Sequence, residues 1–264
     1  MLHIKNLKIK FSDASGGEAV RGISLDMNKG DMLGLVGESG SGKTVTALTI
    51  AGLIDRGRAC TSGEILFGGK NLLSMDRSEL RKIQGRDIGV VFQEPMTALN
   101  PLMKVGTQIE EPLRIHTKLT PAQRRFIALD FMHRVELPEP EQAYEKYPHQ
   151  LSGGQRQRAI IASAIIMGPQ LLIADEPTTA LDVSVQGHIL KLLKDINKQQ
   201  HVGILFISHN LSVVKRLCTR VAVMHDGRIV ESGETDTVFT NPRADYTKHL
   251  ISAIPTRDRR RRAL

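Results

Sequence analysis

The run Met32-Leu33-Gly34-Leu35-Val36-Gly37-Glu38-Ser39-Gly40-Ser41-Gly42-Lys43-Thr44 organises everything around it. Its first five residues are a short apolar strand, and the next eight fit the phosphate-loop pattern G-x-x-x-x-G-K-[ST] in full. Val45 to Leu53 continues as an apolar helix, so the pattern stands in the strand-loop-helix context it needs. The residue types explain the chemistry. Gly37, Gly40 and Gly42 let the backbone N–H groups of the loop, with Glu38, Ser39 and Ser41 between them, curl around a β-phosphate. Lys43 supplies a point charge to the β and γ oxygens, and the Thr44 hydroxyl suits Mg²⁺. This is a nucleotide site.

Leu171-Leu172-Ile173-Ala174-Asp175-Glu176 is a second apolar strand, tipped by two carboxylates. A phosphate-loop fold places its second magnesium group at such a tip, here Asp175. Glu176 is then free to orient or deprotonate a water attacking the γ-phosphate. Gly203-Ile204-Leu205-Phe206-Ile207 is a third such strand, and Ser208 after it leads to His209 at the same sheet edge. Leu151-Ser152-Gly153-Gly154-Gln155 is a further glycine-rich run, and it opens a helix. Ser152 and Gln155 stand at capping-box spacing, the glycines leave backbone donors approachable, and a helix N-terminus attracts anions. Read alone, the run fits an ordinary capped helix as well as an anion site. Its helix runs through Ala159 to Met167 and stops at Gly168-Pro169.

Strands and helices alternate around glycine-rich turns, which predicts an α/β fold around a largely parallel sheet. The N-terminal side differs. Leu7, Ile9 and Phe11 alternate with Lys8 and Lys10, and short runs at Ile23-Ser24-Leu25 and Glu64-Ile65-Leu66-Phe67 follow, so an antiparallel β layer is expected there. From about Pro95 to Ser152 the strand signal vanishes. Pro121 to Arg134 has helical spacing, with Thr120 as cap and Pro121 at the first helical position. An inserted helical subdomain is expected, at about 95–160. The last 30 residues read as peripheral, and no internal repeat is visible.

The 264-residue chain has globular composition, 41% hydrophobic and 24% charged, with room for one large domain. No apolar run approaches the roughly 18 to 20 residues that cross a bilayer, and Met1-Leu2-His3-Ile4-Lys5 alternates like a strand rather than a signal peptide. Cys60 and Cys218 sit in no metal-type spacing, so a reducing cytoplasm is expected. The net charge of +8 is concentrated: setting aside the five arginines and one aspartate of 257–262 takes 36 basic and 28 acidic residues to 31 and 27. That tail reads as a solvated end, with contact to nucleic acid or anionic lipid as the alternative. Seven phenylalanines, three tyrosines and no tryptophan supply no basic-aromatic stacking platform, so nucleic acid is not the expected partner.

Taken together, these motifs resemble ABC-type ATPases over about residues 1–255. The phosphate loop is Gly37–Thr44, and the family's Q-loop glutamine matches Gln93 in Val90-Val91-Phe92-Gln93-Glu94-Pro95. Its signature matches Leu151–Gln155, its Walker B carboxylates Asp175 and Glu176, its D-loop Ala180-Leu181-Asp182, and its switch histidine His209. The adenine-stacking aromatic falls at Phe11. The resemblance implies a RecA-like phosphate-loop NTPase core within an ATPase domain at 1–235, followed by a peripheral segment at 236–264. It also implies ATP and Mg²⁺ as ligands, the metal held by Thr44, Gln93 and Asp175, with Glu176, His209 and Gln93 acting in hydrolysis. In such ATPases two domains face each other head to tail. Ser152, Gly153, Gly154 and Gln155 of one would then close on the nucleotide of the other, with Asp182 beside it.

Within the family, Gln93-Glu94-Pro95-Met96-Thr97-Ala98-Leu99-Asn100-Pro101 and Pro242-Arg243-Ala244-Asp245-Tyr246-Thr247-Lys248-His249-Leu250-Ile251 look like the oligopeptide, dipeptide and nickel importer ATPases. That likeness implies a subunit on the inner face of the cell membrane, docked on two separate permeases and served by an external binding protein. The dimer is a homodimer or a heterodimer with a paralogous ATPase. Peptide is the expected cargo, nickel or another chelated metal the alternative; a soluble nucleotide switch acting on nucleic acid is a third reading. Some members carry a cysteine cluster for an iron–sulfur centre in the tail; with Cys60 and Cys218 alone, none is expected here.

Overall fold

The computed structural model describes residues 1–12, 17–179 and 182–254. The N-terminal layer is an antiparallel sheet in the order β2-β1-β4-β5, formed by β1 (Leu2–Phe11), β2 (Glu18–Met27), β4 (Ala59–Phe67) and the short β5 (Lys70–Asn71). The larger sheet runs β10-β9-β3-β8-β7-β6, built from β3 (Met32–Val36), β6 (Ile88–Val91), β7 (Leu171–Asp175), β8 (Gly203–Ser208), β9 (Arg220–His225) and β10 (Arg228–Glu234). Pairing is parallel from β6 through β9, and only the edge strand β10 is antiparallel.

Both faces of the large sheet are buried, which is why its strands read as continuous apolar runs instead of alternating ones. On one face Leu33, Leu35, Leu171, Ile173, Leu205 and Ile207 pack against Leu2, Ile4, Leu7 and Ile9 of the antiparallel layer. On the other, Val36, Leu172, Ala174, Ile204 and Phe206 meet the helices. The antiparallel layer has one solvated face, and β1 accordingly alternates buried leucine and isoleucine with exposed lysine.

The helices are α1 (Lys43–Ile50), α2 (Arg77–Ile83), α3 (Pro95–Ala98), α4 (Val105–Ile109), α5 (Glu111–His116), α6 (Pro121–Arg134), α7 (Pro140–Glu145), α8 (Gly153–Ile165), α9 (Val183–Gln200), α10 (Leu211–Leu217), α11 (Thr235–Thr240) and α12 (Asp245–Ser252). Between β6 and β7 the chain is helical throughout. The α6 helix spans the residues its sequence predicts, and the Thr120–Gln123 capping box is formed in both directions. The α8 helix begins likewise: the Ser152 N–H donates to Gln155 Oε1 at 2.8 Å, and the Gln155 N–H to Ser152 Oγ at 3.3 Å. Asp76 and Glu79 close a third such box at α2. Among the described residues no helix is long and apolar enough to cross a membrane.

The C-terminal segment packs on the edge strand. The α12 helix lies against β10 and sends Tyr246 to the phosphate loop, where its hydroxyl accepts the Glu38 N–H at 3.1 Å. The physical reason is a fastening of the helix start. Glu231 on β10 accepts the N–H groups of Arg243 (2.8 Å) and Ala244 (3.0 Å) with its carboxylate, and Thr247 is fully buried beneath.

Candidate functional site

Strand register assembles the site. Val36 of β3 pairs with Ser208 of β8, Ile207 of β8 with Asp175 of β7, and Ala174 of β7 with Val91 of β6. The four strands therefore end nearly level, and the residues just past them stand along one sheet edge, where open α/β folds bind ligands. Gly37, Glu176 and His209 directly follow β3, β7 and β8, and Gln93 stands two residues past β6.

The phosphate loop leaves β3 with no room to spare. A Cβ on Gly37 would lie 2.1 Å from the Met224 carbonyl oxygen, so the first loop residue can only be glycine. The N-cap of α1 is Gly42 and brings no side-chain bond, so the first N–H groups of the helix have no capping side chain to compete with an anion. Lys43 is 6% exposed and curls back into the loop. Its Nζ donates to Glu38 O (2.7 Å), Gly37 O (2.9 Å) and Ser41 Oγ (3.3 Å). Burial lowers its pKa, against the opposing fields of Glu176, Asp175 and Glu38. Both carboxylates thus act on the lysine that the sequence assigns to phosphate.

Glu176 is the centre of the second cluster. Its Oε1 is 2.9 Å from His209 Nδ1, and its Oε2 accepts from Thr179 Oγ1 (2.8 Å) and Gln93 Nε2 (3.3 Å). An ionised carboxylate only accepts, so Nδ1 is the donor in this contact, on a largely open ring. Glu176 has φ of 45°, in the left-handed region that costs a non-glycine residue roughly 1 kcal/mol or more. Its N–H still bonds Ile207 O at 2.9 Å, so the sheet holds the strained residue in place. His209, read from the sequence at a strand end, and Gln93, which the family resemblance supplied, meet at the Glu176 carboxylate. Thr179 was not read; its signal is a hydroxyl three residues beyond an acid in a turn.

Asp175 is 6% exposed, and its Oδ1 is buried without a hydrogen-bond partner. Burial raises its pKa, with the Thr44 side chain opposing. An unsatisfied buried carboxylate oxygen beside the Thr44 hydroxyl, with the Gln93 amide at the next strand, is the donor set a hard divalent cation takes. The residues fit Mg²⁺.

The signature run stands apart. No hydrogen bond or ion pair among the described residues joins Ser152, Gly153, Gly154 or Gln155 to Lys43, Asp175, Glu176 or His209; Ser152 and Gln155 bond each other. Arg156 steadies the run from below by donating to Leu151 O (2.9 Å) and Pro148 O (3.2 Å). Gly154 meets α9 closely, since a Cβ there would lie 2.7 Å from Val185 Cγ1. Asp182 is the N-cap of α9, while Ala180 and Leu181 lie outside the described residues. Phe11 ends β1, half-buried, and lines a hollow of about 510 Å³ with Ser12, Asp55, Gly57 and Arg58. No phosphate-loop residue lines that hollow.

The sheet edge, phosphate loop and strand-end carboxylates define a nucleotide-hydrolysing cassette. The family model described as ABC transporter matches residues 20–179. The chain is 46% identical to the oligopeptide transport ATP-binding protein OppD of Bacillus subtilis over 97% of its length and 72% of that protein's. It is 45% identical to the dipeptide transport ATP-binding protein DppD of Lactococcus lactis, over 98% of this chain and 74% of that protein. Among solved structures, the ATP-binding cassette MJ0796 in a dimeric post-hydrolysis state bound to ADP and Pi superposes with a TM-score of 0.80 at 29% identity, covering 89% of this chain and 99% of that one. The chain belongs to the ABC transporter ATP-binding family and is an ATPase of that family.

Proposed function

We propose that the chain is the ATP-hydrolysing subunit of a peptide importer, working at the inner face of a membrane on two permease subunits, with peptide delivered by an external binding protein. The observation that carries the catalytic part is the convergence of Gln93, Thr179 and His209 on the Glu176 carboxylate, which follows Asp175 and acts on the Lys43 charge, with β8 alone between their strands. The likeness to oligopeptide and dipeptide transport proteins over nearly the whole chain supports the cargo class.

In this reading the phosphate-loop N–H groups and Lys43 hold the β- and γ-phosphates, and Phe11 stacks on the base. Mg²⁺ held by Thr44, Asp175 and Gln93 would neutralise phosphate charge. Glu176 takes a proton from the attacking water, its orientation fixed by Thr179 and Gln93, while His209 turns its free Nε2 toward the γ-phosphate. Ser152 to Gln155, with no nucleotide partner in their own chain, close on the γ-phosphate held by a second ATPase subunit, with Asp182 next to it. That subunit is a second copy or a paralogue. Loss of the γ-phosphate on hydrolysis releases the clamp.

In this reading the permease docks next to Gln93. An apolar groove of about 250 Å³ runs between the sheet and the helical region, lined by Leu53, Val90, Phe92, Leu99 and Ile160, so a helix inserted there would move against Gln93. Copurification with two permeases, followed by ATPase assays of the complex in vesicles, tests the reading. Peptide-loaded binding protein should stimulate turnover several-fold. Stimulation by nickel or a chelated metal alone would transfer the subunit to the other cargo class, and salt-sensitive nucleic-acid binding without permeases would replace the transport reading.

A further inference from the structure

Helix α12 has no part in the mechanism above, yet it touches the loop that holds the phosphates. The Tyr246 hydroxyl accepts the Glu38 N–H at 3.1 Å. That N–H belongs to the peptide unit joining Gly37 to Glu38, and the carbonyl of the same unit, Gly37 O, accepts Lys43 Nζ at 2.9 Å. A trans peptide is a rigid plane with its N–H and C=O pointing in opposite directions, so fixing one end aims the other. A bond at the N–H also polarises the carbonyl and strengthens it as an acceptor.

We propose that Tyr246 is a positioning residue for nucleotide binding: it locks the Gly37–Glu38 peptide and thereby sets where Lys43 stands at the mouth of the phosphate loop. The tyrosine is itself held. Its ring stacks on His225 with centroids 3.8 Å apart and planes 22° from parallel. His225 leads into the Asp226-Gly227 turn, where the Gly227 N–H donates to Ser41 O at 3.1 Å, a second grip on the same loop. The Glu231 carboxylate fixes the residues just before α12. Farther along, Leu250, Ala253 and Ile254 line a hollow with His209 and Asn210, so one helix spans from the phosphate loop to the histidine loop.

The proposal rests on the reading that Lys43 holds nucleotide phosphate, and the test separates the two. Full-length parent, Tyr246→Phe and Lys43→Ala are compared by equilibrium binding of a fluorescent ATP analogue, steady-state ATPase and thermal melting. Tyr246→Phe keeps the ring on His225 and removes only the hydroxyl, so its melting temperature should fall by no more than the few degrees one hydrogen bond is worth. Its affinity for the analogue should fall about twofold to tenfold, the worth of one hydrogen bond, with KM raised and kcat held. Parent-like affinity in Tyr246→Phe, with binding lost in Lys43→Ala, would overturn the proposal alone. Parent-like binding in Lys43→Ala would overturn the reading beneath it and the proposal together. A Tyr246→Phe variant whose melting temperature falls further than that, in step with its affinity, would make the residue structural and would also overturn the proposal.

Discussion

Glu176 combines three partners with a left-handed backbone, and each argues that its carboxylate is held for a purpose rather than left at a strand end. Glu176→Gln should lower kcat by roughly 100-fold or more while nucleotide affinity stays within about twofold, because a general base acts in the transition state and not in binding. Steady-state and equilibrium measurements on the same preparation check this; an unchanged kcat would move the base elsewhere. Asp175 gives a prediction with a sign in pH. Burial disfavours its charged form and raises the folded-state pKa. Below the ordinary value of 3.8 the proton is bound in both folded and unfolded chains and no penalty exists. As pH rises above it, the unfolded chain ionises first and the folded state loses stability, until the folded carboxyl ionises too and the penalty stays constant. Asp175→Asn should therefore melt higher than the parent at pH 7 while losing Mg²⁺-dependent turnover, and the melting gap should close below pH 3.8. Calorimetry over pH 3–7 decides it, and a lower melting point at pH 7 would refute the argument. At this scale the sequence was readable where a functional residue follows an apolar strand, as Glu176 and His209 do, while Gln93 was legible only through the family resemblance. Thr179 and Tyr246 were missed as site residues because their contacts depend on a turn and on a distant helix, which no local pattern encodes.

Among the elements, α6 and α8 were legible to the residue at their starts because capping is a local exchange of hydrogen bonds. Ser152→Ala should cost about 1 kcal/mol of stability by loss of the cap, seen as a lower denaturation midpoint with an unchanged slope. A loss near zero would mean that Gln155 and Arg156 hold the helix start without it. The parallel strands β3, β7 and β8 were legible because both faces of the large sheet are buried, whereas β6, β9 and the order β10-β9-β3-β8-β7-β6 were not, since strand order is fixed by nonlocal packing. The same limit hid α12. Its residues read only as part of a peripheral last stretch, and Glu231 on β10, through the N–H groups of Arg243 and Ala244, together with the stack of Tyr246 on His225, brings it to the phosphate loop.

The whole molecule divides its chemistry unequally. Phosphate loop, Walker carboxylates, Gln93 and His209 gather at one sheet edge, and among the described residues the Ser152–Gln155 helix start has no hydrogen bond or ion pair to any of them. In the function proposed above, the chain is therefore half of a site that another subunit completes. Light scattering on the Glu176→Gln chain, with and without ATP and Mg²⁺, tests this most directly. With a second copy as the partner, the account predicts that the 29.2 kDa mass doubles when ATP and Mg²⁺ are added and returns to the single-chain value when Ser152→Arg is combined with it. With a paralogue as the partner, the same rise appears once the paralogous ATPase is added. A single-chain mass in saturating ATP and Mg²⁺ both with and without the paralogue, or a dimer indifferent to Ser152→Arg, would contradict it.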